Sequence, residues 1–109
     1  RALAVTTARR SSAMPAVPPI AESADDLGLG QFDIHTWFGL FGPARLPADV
    51  TARLNRAFVD ALNSAEIRAR LATLMAEPAP TTPEAFAQFV RSEHAKYEGI
   101  VKASGAKAD

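Results

Sequence analysis

The sequence predicts an α/β fold in which a few strands come first and three helices follow. From Phe32 to Leu40 the apolar side chains recur with a period of two, which is typical of a β-strand. After Pro43 they recur every three or four residues, which is the spacing of amphipathic helices. This change of period divides a single domain of 109 residues into a strand-bearing part, residues 1–43, and a helical part, residues 44–109.

Two strands are predicted, at Ala2–Thr6 and Ile34–Phe41. The first is a short, apolar and partly β-branched run, which favours a buried strand. The second lies in a segment that holds three of the six Phe and the only Trp. Pro43 ends it, because Pro has no N–H for a ladder. Residues 8–19 between the strands contain three Pro and are expected to form an extended loop.

Helical spacing and capping residues predict three major helices, at Pro47–Asn63, Ser64–Ala76 and Thr82–Ser104. Ser64 and Thr82 are residue types that cap helix N-termini, and Gly105 suits a helix end. A short helix is also predicted from Pro19 to Asp26, with Gly28 as its stop. The large members of the apolar stripes are expected to form the core: Trp37 or Phe38, Leu54, Phe58, Leu71, Phe86 and Val90.

Composition excludes several classes of function. Twelve basic and twelve acidic side chains cancel, and the basic stripe of a nucleic-acid-binding protein is missing. The chain has no Cys, so disulfides and thiolate zinc sites are excluded. His35 and His94 lie in no metal-binding pattern, so neither a metal nor a cofactor is expected. No nucleophile–base pair is visible, and no catalytic residue is assigned.

The adjacent Arg9 and Arg10 leave two interpretations open. They are either contacts for an anionic partner or a solvated pair at the end of a strand.

Four short motifs occur in a characteristic order. They are Ala4-Val5-Thr6 followed by Arg10-Ser11, the run Pro15 to Glu22, the run Trp37 to Leu40, and the run Pro83 to Phe86. Together they resemble the C-terminal end of the extracytoplasmic solute receptors of tripartite tricarboxylate transporters, the Bug-type receptors. The resemblance covers essentially the whole chain.

This resemblance implies part of a two-lobed receptor. The fold would be a partial lobe of the type II periplasmic-binding-protein fold, with few strands packed by three C-terminal helices. The resemblance also implies a periplasmic location, a small carboxylate ligand, membrane transporter subunits as partners and no enzymatic activity. Such receptors are considerably longer than this chain, so it is expected to be a C-terminal fragment that does not bind ligand alone. Thr6 and Thr7 are expected nearest the ligand, since they end the strand that crosses between the lobes.

The chain departs from the family pattern at a few positions. Pro18-Pro19 stands where the family usually has Pro-Thr, and Leu46 stands where a Thr or Ser cap is usual. These departures weaken local helix caps more than they weaken the resemblance. Beside the receptor, an alternative interpretation is kept, a self-associating helical interaction module without ligand binding. In either case the chain is expected to be a homo-oligomer, because the segment around Ile34–Phe41 would present an open strand edge.

Overall fold

The computed structural model describes residues 1–106, and its regular elements are mostly helical. In chain order the helices are α1 (Ile20–Ser23), α2 (Ala48–Asn63), α3 (Ala65–Thr73) and α4 (Pro83–Ser104), with a 3-10 turn at Asp25–Leu27 after α1. The chain forms two compact units. Unit 1 consists of Arg1–Pro43 and Arg70–Glu77, and unit 2 consists of Ala44–Ala69 and the described residues from Pro78 onward.

The two predicted strands, Ala2–Thr6 and Ile34–Phe41, do not form a sheet within residues 1–106. One isolated parallel bridge joins Val5 to Pro19. In addition, Ile34 N–H donates to the carbonyl of Thr6 at 2.9 Å. A strand is stable only where neighbouring chain supplies partners for its main-chain groups, and these contacts are too few for a ladder. The β part of the predicted fold class is therefore wrong for this structure, whereas the helical part is confirmed.

The short predicted helix Pro19–Asp26 is broken in the middle. Pro19 lies before the first turn of α1 with an extended backbone, and Ala24 separates α1 from the 3-10 turn. Gly28 ends the turn as predicted, in the left-handed conformation with φ 75°. Glycine adopts this conformation without the steric cost that a Cβ would add.

Capping residues explain where the long helices begin and end. α2 begins at Ala48 because Pro47 has an extended backbone, with ψ 141°, and occupies the N-cap. The predicted cap of α4 is confirmed, since Ala85 N–H donates to Thr82 Oγ1 at 3.2 Å. α3 ends before the predicted Ala76, because Met75 has a positive φ of 55° and turns the chain.

The predicted core is only partly present. Phe38 is 93% exposed, so of the pair Trp37 or Phe38 only Trp37 is half-buried. Leu54 and Phe58 are nearly half exposed, at 46% and 43%. Two small units have too much surface for their volume to bury large side chains completely.

Unit 2 is held by contacts between α2 and α4 and by a few specific side-chain bonds. The rings of Phe86 and Phe89 stack with centroids 6.4 Å apart. Asn55 on α2 donates its amide to the carbonyl of Thr81 at 2.9 Å, just before α4 begins. Each helix among residues 1–106 is either too short or too polar to cross a lipid bilayer.

Candidate functional site

The two candidate ligand-binding residues, Thr6 and Thr7, differ in what their hydroxyls already do. Thr7 is half-buried, and its Oγ1 donates to the carbonyl of Arg9 at 2.6 Å. Thr6 is exposed, and its carbonyl accepts the bond from Ile34. Within residues 1–106 the Thr6 hydroxyl makes no hydrogen bond to protein. Because a hydroxyl has one hydrogen to donate, Thr6 can offer it to an anion and Thr7 cannot without breaking its turn.

Asp33 fixes the chain immediately after the two threonines. Its Oδ1 accepts the N–H of Ala8 at 3.1 Å and lies 3.0 Å from Nδ1 of His35. Which of these two atoms donates depends on the tautomer of His35. No sequence motif marks Asp33 as part of this site. The sequence indicates only that Asp33 lies on the polar half of the segment Phe32–Leu40.

The two arginines of the loop have different surroundings. Arg10 donates from Nη2 to Glu22 Oε2 at 2.6 Å and from Nη1 to the carbonyl of Pro15 at 3.4 Å. This pair is half exposed, at 45% and 53% of the two side chains, so it holds the loop in place without a buried charge. The Arg9 side chain is exposed and contacts no carboxylate among residues 1–106.

Glu77 anchors the other end of the loop. Its Oε1 accepts the hydroxyl of Ser12 at 2.6 Å and the N–H of Ser12 at 2.8 Å. The hydroxyl of Ser11 lies further away, at 3.5 Å. These bonds favour the ionised carboxylate, and they lower the pKa of Glu77, chiefly through the Ser12 hydroxyl and then the Ser12 N–H. Glu77 was also missed by the sequence analysis, because its partners are far away in the chain.

Some groups of the loop from Thr6 to Ser12 are therefore held by hydrogen bonds to other residues, which together form the frame of the loop. Other groups of the loop face solvent. Asp33, Glu22 and Glu77 hold the frame, and the Thr6 hydroxyl and the Arg9 guanidinium are left at the surface. A hydrogen-bond donor and a cation are the groups that bind carboxylates. Among residues 1–106 no cluster of His, Asp and Glu is arranged to hold a metal ion.

A family model and several known proteins match this chain, and they indicate the same family. The family model TctC, described as tripartite tricarboxylate transporter family receptor, matches residues 1–106. Protein BugT of Bordetella pertussis is 34% identical over 107 residues, which are 98% of this chain and 32% of BugT.

Two further relatives are named after the intergenic regions in which they lie. The UPF0065 protein in the clcB-clcD intergenic region of Pseudomonas knackmussii is 38% identical over 85 residues, which are 78% of this chain and 48% of that protein. The UPF0065 protein in the tcbD-tcbE intergenic region of a Pseudomonas species is 35% identical over 101 residues, which are 93% of this chain and 29% of that protein. This chain thus spans between about a third and a half of the length of these curated relatives. No solved structure matches it.

Proposed function

Because this chain belongs to the tripartite tricarboxylate transporter receptor family, we propose that it is the C-terminal part of a periplasmic receptor that binds a small carboxylate. The receptor would deliver its ligand to the membrane subunits of the transporter. It would have the two-lobed type II periplasmic-binding-protein fold, with this chain as part of one lobe. The chain alone would not bind ligand, since it spans only about a third to a half of the length of the matching relatives.

The observation that carries this proposal is the exposed, uncommitted hydroxyl of Thr6 on a loop that is otherwise internally bonded. Thr6 would donate a hydrogen bond to the ligand carboxylate. Thr7 would act differently, because its hydroxyl already closes the turn to Arg9 at 2.6 Å and so fixes the direction of its neighbour. A charge-assisted hydrogen bond from a fixed donor is stronger than one between neutral groups.

Calorimetry on the full-length receptor tests this assignment. A panel of mono-, di- and tricarboxylates is titrated into wild type, Thr6→Val and Thr7→Val, which keep the shape of the side chain but lose the hydroxyl. Thr6→Val is expected to weaken carboxylate binding by about tenfold or more, the typical effect of one hydrogen bond to a charged group. Thr51→Val is the matched control, because the Thr51 hydroxyl donates to the carbonyl of Pro47, the residue that precedes α2. Unchanged affinity in the Thr6→Val variant removes the assignment of Thr6 as the donor, and unchanged affinity in Thr7→Val removes the positioning role of Thr7.

A second candidate function is a self-associating interaction module without ligand binding. One observation favours it, the exposure of the large apolar side chains Phe38 and Leu40, at 93% and 66%. Calorimetry of the 109-residue chain with the same carboxylate panel separates the two candidates. Carboxylate binding by this chain alone would argue against a module without ligand binding. It would also show that the rest of the receptor is not needed for ligand binding.

A further inference from the structure

We propose that Asp33 is a positioning residue for ligand binding, because it fixes the main chain beside Thr6, whose hydroxyl would bind the ligand carboxylate. This inference rests on the proposed function, since it takes Thr6 as the donor. It adds a residue that does not touch the ligand. A carboxylate beside a bound anion repels it, so Asp33 would act only through the group that it holds in place.

The main chain after Thr6 is held by two consecutive residues of another segment. The carbonyl of Thr6 accepts the N–H of Ile34 at 2.9 Å, and the N–H of Ala8 donates to Oδ1 of Asp33 at 3.1 Å. The two bonds close a ring between the two segments, so each bond keeps the groups of the other within reach. Only the Asp33 bond depends on a side chain, and a substitution at position 33 therefore removes it.

The main chain before Thr6 is fixed without Asp33. The N–H of Val5 donates to the carbonyl of Pro18 at 2.9 Å, and the carbonyl of Val5 accepts the N–H of Ile20, also at 2.9 Å. These bonds involve main-chain groups only. Asp33 is thus the distant residue whose side chain sets the main chain on the other side of Thr6.

The Asp33 side chain is itself held in place. The same Oδ1 that accepts the N–H of Ala8 lies 3.0 Å from Nδ1 of His35. The Asp33 and His35 side chains are 36% and 32% exposed, so solvent competes for these contacts only in part. A positioning residue needs such support, because a side chain that rotates freely cannot fix its neighbour.

The other two carboxylates of the frame do not act on the main chain beside Thr6. Glu22 bonds to the side chain of Arg10, so it leaves the main chain there unbonded by this contact. Glu77 bonds to Ser12, which lies further along the chain. Asp33 is therefore the carboxylate whose loss should change the placement of the Thr6 hydroxyl most directly.

Calorimetry on the full-length receptor tests the role with Asp33→Ala and Asp33→Asn, with acetate, succinate and citrate as probes. Both variants lose the charge, but Asn keeps an oxygen that can accept the N–H of Ala8. Asp33→Ala should weaken binding about tenfold, which corresponds to ordering the backbone of one residue upon binding. Asp33→Asn should stay within about threefold of wild type. Loss of the charge alone would strengthen the binding of an anion, so the sign of the change separates the two effects.

The double variant Thr6→Val with Asp33→Ala separates positioning from a general structural role. A positioning residue has no further effect once the group that it positions is gone, so the double variant should bind like Thr6→Val alone, within about twofold. Asp60→Ala is the matched control, because Asp60 is an exposed carboxylate on α2 in the other unit, and its affinity should equal that of wild type.

Hydrogen exchange of the ligand-free receptor gives an independent test of the frame. Mass spectrometry follows the peptide that covers residues 5–9, and a peptide from α2 serves as the internal control. Asp33→Ala should speed exchange in the first peptide about tenfold and leave the second unchanged, because it opens the main chain only where its bond is lost. Asp33→Asn should exchange like wild type.

Three results would overturn the inference and leave the proposed function standing, provided that Thr6→Val weakens binding. The first is an Asp33→Ala variant that binds as tightly as wild type or more tightly. The second is an equal loss of affinity in Asp33→Ala and Asp33→Asn, which would trace the effect to the charge. The third is a double variant whose losses add, which would mean that Asp33 does not act through Thr6. Unchanged affinity in Thr6→Val would instead overturn the assignment of the donor, and this inference with it.

Discussion

Replacing Glu77 by Gln should destabilise unit 1, and the loss should depend on pH. Gln keeps the size of the side chain and one carbonyl-type acceptor for Ser12, but it removes the negative charge. In the structure the charged carboxylate of Glu77 accepts two short hydrogen bonds from Ser12, at 2.6 and 2.8 Å. A hydrogen bond to a charged group contributes about 1.5–3 kcal/mol, and solvent around this exposed carboxylate reduces that figure considerably. We therefore expect a loss of about 1 kcal/mol at neutral pH.

The pH dependence follows from the direction of the shift. The Ser12 bonds lower the pKa of Glu77 from the value of 4.5 that applies without them. The contribution of the charge to stability is therefore fully present above about pH 4.5 and is lost as the pH falls through the lower pKa of the folded state. The difference between wild type and Glu77→Gln should shrink towards zero in acid.

Urea unfolding followed by the fluorescence of Trp37 measures this difference, because Trp37 is the only Trp and lies in the same unit as Glu77. Asp60→Asn is the control, since Asp60 is an exposed carboxylate on α2 in the other unit. A Glu77→Gln loss that is the same at pH 7 and pH 3 would refute the reasoning. So would a loss no larger than that of Asp60→Asn.

Three further predictions concern unit 2. Thr82→Ala should lower the free energy of unfolding by about 1 kcal/mol, because it removes the side-chain cap of α4, and thermal unfolding against Thr82→Ser measures it. Phe86→Ala should cost about 2–3 kcal/mol and more than Phe58→Ala, since Phe86 is half-buried and Phe58 is 43% exposed; equal losses in urea unfolding would contradict this. Lys96→Met should cost about 1–3 kcal/mol at pH 7, because it removes a cation 2.5 Å from the buried Glu93 carboxylate. Urea unfolding measures this loss, and a loss no larger than that of Lys102→Met, which removes the cation of the exposed pair with Glu98, would contradict it.

The sequence was informative where structure depends on neighbours along the chain. The cap of α4 at Thr82 and the stop at Gly105 follow from residue type and position, so they were predictable. The strands were not, because alternation shows which face of a segment is apolar but not whether another segment pairs with it. The same segment, Ile34–Phe41, keeps its alternation and yet has no ladder within residues 1–106.

In the candidate site too, features that depend on sequence neighbours were predictable and features that depend on distant residues were not. Thr6 and Thr7 could be named as neighbours in sequence; Thr6 remains the proposed ligand contact, and Thr7 is proposed to position it. The groups that frame them were invisible, because Asp33 bonds to an N–H 25 residues away and Glu77 to one 65 residues away. Nothing in the local sequence of Glu77 indicates that it accepts a bond from Ser12. Only the folded structure shows whether a carboxylate is hydrogen-bonded to the protein or to solvent.

The bond between Ser12 and Glu77 also constrains the order in which the chain can fold. Unit 1 is discontinuous, because Arg70–Glu77 returns to join Arg1–Pro43 after the whole of α2 has been made. Closing a loop of 65 residues costs chain entropy before any contact compensates for it, and such non-local closure slows folding. During synthesis, α2 can form while the Thr6 loop still lacks its anchor. A nascent chain that has not yet emerged as far as Glu77 therefore presents Ser12 without its acceptor, and until then only Asp33 and Glu22 hold the Thr6 loop.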